Sequence, residues 1–138
     1  MTYTETALVT EGITKPGIID YFATINQAEF VKTASLFSDH GTLFAPFEKP
    51  IIGREKIAAY LSKEAKGMKL LPQQGIYETG AETESNCETY KILGKVKTAL
   101  FSVNVAWYFT FNQDDQIATV QIKLLASPRE LLNLQSKQ

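Results

Sequence analysis

Apolar residues in the first half of the chain recur every three or four positions, the spacing of amphipathic helices. A first helix is predicted from Pro16, and its apolar residues at helical spacing are Ile18, Ile19, Tyr21, Phe22 and Ile25. The proline suits this position because a first helical turn needs no backbone donor there. A further helix is predicted in the segment GREKIAAYLSKEAKG, which has the same spacing of apolar residues.

The stretch between these two helices predicts a shorter helix followed by an edge strand. AEFVKTASLF has helical spacing, and the SDHG that follows it is expected to end the helix with Gly41 in a left-handed conformation. The next segment, TLFAPFEKP, predicts a short strand. Because a proline donates no hydrogen bond to a neighbouring strand, we expect this strand at an edge of the sheet.

The second half of the chain alternates between apolar and polar positions, the period of a β-strand. A bent strand is predicted in MKLLPQQGIYETG, and regular strands in CETYKILGKVKTAL, SVNVAWYFTF and QIATVQIKLLA. A last helix is predicted over residues 127–135, with Ser127 as its N-cap. Helices followed by antiparallel strands predict an α+β fold, a cone in which the helices pack on the concave face of a curved sheet.

Length and charge narrow the class of protein. The chain is long enough for one domain over residues 1–138, and residues 1–13 form an N-terminal arm without a clear period. Fourteen basic and fifteen acidic residues give a formal charge of −1, which provides no reason to expect nucleic-acid binding. There is no apolar run long enough for a membrane span, and the N-terminus lacks the regions of a signal peptide. We therefore expect a cytoplasmic protein.

Residues that could carry catalysis are few. His40 is the only histidine and is predicted in a surface turn, so it cannot anchor a metal site. The single cysteine, Cys87, excludes an intrachain disulfide and has no histidine near it in the sequence. If its thiol is exposed, Cys87 is a candidate for an intermolecular disulfide. We expect no catalytic residues and no metal.

A cone of this kind leaves a cavity between its helices and its sheet, and its inward positions are mostly apolar. Two of these inward residues carry a hydrogen-bond donor: Tyr21 on the first helix has a hydroxyl, and Trp107 on the apolar face of its strand has an indole N–H. Two convergent donors in an apolar pocket suit a long apolar ligand that ends in a carbonyl or a hydroxyl. The alternative is that both side chains are core aromatics whose donors bond to backbone carbonyls.

Several segments resemble the C-terminal domain of the orange carotenoid protein of cyanobacteria. They are LFAPFEKPIIGREKIAAYL, ILGKVKT, NVAWYF and above all IKLLASPRELLNL, and the resemblance covers roughly residues 13–135. It implies the cone fold of the nuclear transport factor 2 superfamily. The family's N-terminal helical domain and linker have no counterpart in this sequence, so we expect a free-standing homologue of the C-terminal domain.

The resemblance also implies a ligand and partners. A ketocarotenoid such as canthaxanthin or echinenone would enter the cavity ring first, and its carbonyl would accept hydrogen bonds from Tyr21 and Trp107. The expected function is to carry and store the pigment, to deliver it to helical carotenoid proteins or to pigment-free orange carotenoid protein, and to quench singlet oxygen. A homodimer sharing one carotenoid and transient membrane contact for uptake are expected. The expected cavity lining is Ile25, Phe37, Met68, Leu70, Val96, Thr98, Leu100, Val105, Ile122 and Leu124.

Two positions differ from what the family resemblance would lead one to expect: one carries a different residue, and the other has no helical domain to pair with in this sequence. Leu100 stands where a tryptophan that meets the helical domain is expected, and Glu64 matches an acidic residue that pairs with an arginine of that domain. Both argue against light-driven domain separation and favour a carrier, although a redox role for Cys87 at a dimer surface stays open. The alternatives are an enzyme of the ketosteroid-isomerase type acting on an apolar carbonyl, which needs a base inside the cavity, and a bare interaction module.

Overall fold

Three helices and six strands make up residues 14–78 and 88–125, the part of the chain that this computed structural model describes. The predicted arm at 1–13, the predicted helix at 127–135 and Cys87 lie outside the described residues. In chain order the elements are α1 (Pro16–Asn26), α2 (Phe30–Ser35), β1 (Phe37–Phe44), β2 (Ile51–Ile52), α3 (Arg54–Glu64), β3 (Lys69–Glu78), β4 (Glu88–Lys97), β5 (Ser102–Phe111) and β6 (Ile117–Leu125).

All six strands form one sheet in the order β2-β1-β6-β5-β4-β3. Neighbouring strands are antiparallel except for β1 and β6, which run parallel. The three helices cover one face of the sheet, and Tyr21, Phe22, Phe37, Trp107 and Phe109 form the buried aromatic centre between the two layers. The predicted α+β class, with helices on a curved sheet, is confirmed.

The expected turn after α2 is wrong, because residues 38–41 belong to β1. The strand has neighbours on both sides, β2 and β6, so it is not an edge strand either. Gly41 allows close packing and does not form a left-handed turn. A Cβ at this position would lie 2.8 Å from the Phe37 Cβ and 3.0 Å from the Ile117 carbonyl oxygen. His40 therefore lies on an exposed stretch of strand.

The predicted bend in β3 is confirmed and falls at Pro72. The pairing of β3 with β4 shifts its register between Pro72 and Gln74, because the proline cannot continue the ladder. Gly94 on β4 lies opposite this bend, and a Cβ there would come within 2.2 Å of the Leu71 carbonyl oxygen. The strands therefore approach so closely at this bend that position 94 has no room for a side chain.

No described helix is both long and apolar enough to cross a membrane. Within residues 14–78 and 88–125, no group of three or more histidine, cysteine, aspartate or glutamate side chains is placed to hold a metal ion.

Candidate ligand-binding cavity

A cavity of about 380 Å³ lies between the helices and the concave face of the sheet. Helix α1 contributes Tyr21 and Ile25 to its wall, and the second half of α3 contributes Tyr60, Leu61 and Glu64. The remaining wall comes from β1 and the loop after it, from the connection between α3 and β3, from strands β3 to β6 and from the turn between β4 and β5. Its volume falls within the range of small-molecule pockets, and most of its lining is apolar.

Tyr21 is fixed by aromatic packing. Its side chain is 1% exposed, and its ring meets the Phe109 ring edge-on at 5.0 Å between centroids. No described residue accepts a hydrogen bond from its hydroxyl. Burial raises the pKa of the Tyr21 hydroxyl far above its ordinary value, and nearby Tyr60 adds to the rise. The hydroxyl is therefore a permanent hydrogen-bond donor at physiological pH.

Trp107 occupies the middle of the central strand β5. It pairs across the ladder with Ile92 on β4 and Ile122 on β6, and its ring meets Phe22 edge-on at 4.7 Å. The side chain is 1% exposed. Its indole N–H donates no hydrogen bond to any residue in the described part of the chain.

Tyr21 and Trp107 thus bring two buried donors to one cavity wall. Leaving a buried donor unpaired costs about 1–3 kcal/mol, and buried polar groups in folded proteins are nearly always paired. Neither donor bonds to a backbone carbonyl of a described residue, which was the alternative expected for core aromatics. The arrangement suits an acceptor that enters the cavity, and one carbonyl oxygen has two lone pairs to accept both bonds.

The cavity wall contains most of the residues that the sequence predicted for it. Phe37 and Leu100 are the exceptions. Phe37 is fully buried in the core, where its ring centroid lies 6.5 Å from that of Tyr21 on α1. The predicted residues on the wall are Ile25, Met68, Leu70, Val96, Thr98, Val105, Ile122 and Leu124.

Leu100 is 89% exposed, because a tight turn directs it away from the cavity. The turn is closed by the Thr98 N–H, which donates to the Phe101 carbonyl at 2.8 Å. The Thr98 hydroxyl accepts hydrogen bonds from the N–H groups of Leu100 and Phe101. Phe101 therefore takes the place on the wall that the sequence assigned to Leu100.

The loop between β1 and β2 supplies wall residues that the sequence analysis missed. Ala45, Pro46, Phe47 and Glu48 all line the cavity. Phe47 has a positive φ of 65° and is 95% exposed. A left-handed residue with a side chain costs about 1–2 kcal/mol. The sequence signal for this turn was the pair of prolines at positions 46 and 50. They predicted that the strand is interrupted here, but not the backbone conformation of the turn.

Three ionisable groups lie nearer the mouth of the cavity. Tyr60 is partly buried on the wall, and burial raises the pKa of its hydroxyl, with Glu48 and Glu64 adding to the rise. Glu48 and Glu64 also line the cavity, but both are exposed to solvent. The donors of Tyr21 and Trp107 are buried, whereas the carboxylates face water.

Comparison with solved structures places the fold in a known class. An NTF2-like protein of unknown function from Cytophaga hutchinsonii superposes with a TM-score of 0.65 at 13% identity, covering 90% of this chain and 99% of that one. The chain therefore has the nuclear transport factor 2-like fold, a sheet and helices around one apolar cavity. No family model matches the chain.

Closer relatives are carotenoid-binding proteins. The orange carotenoid-binding protein of Limnospira maxima is 38% identical over 128 residues, covering 90% of this chain and 39% of the relative. That of Synechocystis sp. is 35% identical over 136 residues, covering 96% of this chain and 42% of the relative. The solved orange carotenoid protein of Anabaena (Nostoc) sp. PCC 7120, which binds canthaxanthin, superposes with a TM-score of 0.81 at 35% identity, covering 91% of this chain and 40% of that one.

The chain spans about two fifths of the length of the curated relatives it matches. The matched part is their C-terminal domain, and this chain is a homologue of that domain. The resemblance indicated by the sequence motifs is thereby confirmed. Both curated relatives, from Limnospira maxima and Synechocystis sp., are named orange carotenoid-binding proteins.

Proposed function

We propose that this protein binds a ketocarotenoid, with one ring of the pigment in the cavity and its keto oxygen between Tyr21 and Trp107. The observation that carries the proposal is the pair of buried donors without partners in the described part of the chain, on the wall of one apolar cavity. A keto group supplies the missing acceptor. The apolar wall supplies contacts for the ring and the first part of the polyene.

Two donors on one carbonyl have an electronic consequence. They stabilise the negative charge that moves from the polyene towards oxygen when the pigment absorbs light. Because this charge is larger in the excited state, the absorption is expected to shift to longer wavelengths. A pigment held in this way is shielded at one end and exposed at the other, which suits storage, delivery to partner carotenoid proteins and quenching of singlet oxygen.

A carrier fits the cavity better than an enzyme of the ketosteroid-isomerase type. Such an enzyme needs a base beside the bound carbonyl compound. The carboxylates on the wall, Glu48 and Glu64, are exposed to solvent, whereas the buried polar groups that the structure describes there, Tyr21 and Trp107, act as donors. The two curated relatives of 35–38% identity, which are named carotenoid-binding proteins, also support a carrier.

The absorption spectrum of the loaded protein tests the proposal. The chain is produced in cells that make canthaxanthin, and the bound pigment is compared with free pigment in organic solvent. We expect a red-shifted band in the unmodified protein and a smaller shift in Tyr21→Phe and in Trp107→Phe, because each substitution removes one donor.

The matched control is Tyr108→Phe, which removes a phenol hydroxyl from the opposite face of the same strand. Tyr108 lies outside the cavity, between the ammonium groups of Lys91 and Lys123. This variant is expected to keep the full shift. A colourless protein, or equal spectra in the Tyr21 and Trp107 variants and the unmodified chain, would contradict the assignment.

A further inference from the structure

Polar side chains on the cavity wall differ in their exposure to solvent. Tyr21 and Trp107 are each 1% exposed, so their donors lie at the inner end of the cavity. Glu48 and Glu64 are exposed and lie at its mouth. Tyr60 on α3 is partly buried and packs against the hydrophobic core, so it lies between these two pairs. The function proposed above uses the inner pair and leaves Tyr60 without a role.

The Tyr60 hydroxyl interacts electrostatically with both pairs. Burial is the main cause of the raised pKa of Tyr21, and the neighbouring Tyr60 adds to the rise. Burial also raises the pKa of Tyr60, and Glu48 and Glu64 add to this rise. Because interactions between charges weaken with distance, the Tyr60 hydroxyl is near Tyr21 on one side and the carboxylates on the other. Glu64 follows Tyr60 by one helical turn, which places both on the same face of α3.

Hydroxyl groups on the described part of the wall belong to Tyr21, Tyr60 and Thr98. The Thr98 hydroxyl is used within its own turn, where it donates to the Phe101 carbonyl at 3.2 Å and accepts from two backbone N–H groups. The Tyr60 hydroxyl makes no hydrogen bond with any residue of the ranges 14–78 and 88–125. A phenol hydroxyl both donates and accepts, so Tyr60 offers a ligand a polar contact in addition to Tyr21 and Trp107.

A bound ring changes the surroundings of the Tyr60 hydroxyl. Because Tyr60 is only partly buried, water reaches its hydroxyl while the cavity is empty. A ring placed against Tyr60 displaces this water, and a hydrocarbon edge of the ring replaces none of the lost hydrogen bonds. A ring with an oxygen substituent at this position restores them. Sites that hold a polar group for a ligand hydroxyl discriminate against analogues that lack it.

We propose that the cavity selects a ketocarotenoid whose ring carries a hydroxyl group beside the keto group, and that Tyr60 hydrogen-bonds this hydroxyl. The inference rests on the proposed function, because Tyr21 and Trp107 must first hold the keto oxygen. The Tyr60 hydroxyl then donates to the oxygen of the ring hydroxyl. The ring hydroxyl directs its own proton towards the carboxylates of Glu48 and Glu64. Tyr60 is thus a specificity-determining residue of the same cavity.

Competition between two pigments measures this selectivity. Astaxanthin and canthaxanthin carry keto groups at the same positions and differ by one hydroxyl on each ring. Pigment-free protein is mixed with an excess of both pigments in equal amounts, dispersed in one detergent. The protein is separated from free pigment by size exclusion, and the bound pigments are extracted and quantified by chromatography. We expect the ratio of bound astaxanthin to bound canthaxanthin to be about fivefold higher in the unmodified protein than in Tyr60→Phe, the effect of one hydrogen bond.

The variants are compared in the same pigment mixture, so differences in the solubility of the two pigments cancel. Tyr60→Phe removes the hydroxyl and keeps the ring that packs against the core. The matched control is Tyr108→Phe, which loses a phenol hydroxyl outside the cavity and is expected to give the pigment ratio of the unmodified protein. Equal ratios in Tyr60→Phe and the unmodified protein would overturn the proposal.

Absorption spectra with canthaxanthin alone separate this role from a third hydrogen bond to the keto oxygen. Canthaxanthin has no hydroxyl for Tyr60 to contact, so we expect a larger red shift in Tyr60→Phe than in Tyr21→Phe. If the red shift falls as far in Tyr60→Phe as in Tyr21→Phe, the Tyr60 hydroxyl donates to the keto oxygen, and its assignment to a ring hydroxyl is wrong.

Failure of this inference is distinguishable from failure of the proposed function. A protein that takes up both pigments without a preference set by Tyr60, and whose red shift depends on Tyr21 and Trp107, would overturn the selectivity and leave ketocarotenoid binding intact. A protein that takes up neither pigment would contradict ketocarotenoid binding, and the selectivity with it.

Discussion

At the scale of single residues, the cavity depends on two aromatic side chains that are held by other rings. The rings of Phe22 and Phe109 contact those of Trp107 and Tyr21 in edge-on arrangements. Such contacts fix ring orientation, and therefore the direction of the indole N–H and the position of the phenol oxygen, before any ligand arrives. A hydrogen bond made with donors already in position loses less conformational entropy on binding.

The buried hydroxyl of Tyr21 makes stability depend on pH in the alkaline range. Burial raises the pKa of this group above its value in the unfolded chain, which is about 10. Its contribution to stability is therefore complete below that pH and is lost as the pH rises above it, because the unfolded chain ionises first. We expect the free energy of unfolding to fall more steeply above pH 10 in the unmodified protein than in Tyr21→Phe, measured by urea denaturation. Parallel curves for the two proteins would show that Tyr21 ionises freely in the folded state.

At the scale of elements, the end of α1 is joined to the edge strand of the sheet by one side chain. The Asn26 Nδ2 donates to the Leu70 carbonyl at 2.9 Å, and its Oδ1 accepts from the Leu70 N–H at 2.7 Å. β3 is the last strand of the sheet, so these backbone groups have no neighbouring strand on that side. The Asn26 side chain makes the two hydrogen bonds that a neighbouring strand would otherwise make, and it thereby holds Leu70 on the cavity wall.

Asn26→Ala is expected to lower the free energy of unfolding by about 1–3 kcal/mol, because it leaves two polar groups of a partly buried strand edge unpaired. The control is Gln27→Ala at the adjacent exposed position, where a change within about 0.5 kcal/mol is expected. Chemical denaturation of both variants measures the difference. Equal stability of the two variants would mean that water replaces Asn26 without cost.

At the scale of the whole molecule, the size of the domain limits how much of the ligand one chain encloses. A domain of this length has a radius of gyration of about 14 Å, and a carotenoid is nearly as long as the domain is wide. One chain is therefore expected to bury about half of a bound carotenoid, and the rest would be exposed as apolar surface. A symmetric pigment suits a two-fold pair of chains that meet at their cavity mouths.

The loaded protein is therefore expected to be a homodimer that shares one carotenoid. Light scattering after size exclusion should give twice the chain mass of 15.4 kDa, and extraction should give one pigment for two chains. A loaded monomer, or one pigment in each chain, would contradict the shared arrangement.

The sequence by itself determined the type of most elements and the face on which their residues lie. Alternation in β5 places Trp107 inward, and helical spacing in α1 places Tyr21 on the buried face. These patterns are local, since a strand or a helix sets the direction of each side chain relative to its near neighbours. The class of the fold and the two candidate donors followed from such local patterns and from the family motifs.

Only the tertiary structure decided what depends on residues far apart in the chain. β1 became an inner strand because β2 and β6 pair with it on both sides. Pro46 and Pro50, which lie in the loop after the strand, had suggested an edge position. The turn that directs Leu100 outward and Phe101 onto the wall depends on hydrogen bonds to Thr98, and the position of Phe47 at the mouth depends on a left-handed turn. The cavity itself arises where helices and a bent sheet fail to meet, and no local spacing of residues encodes that distance.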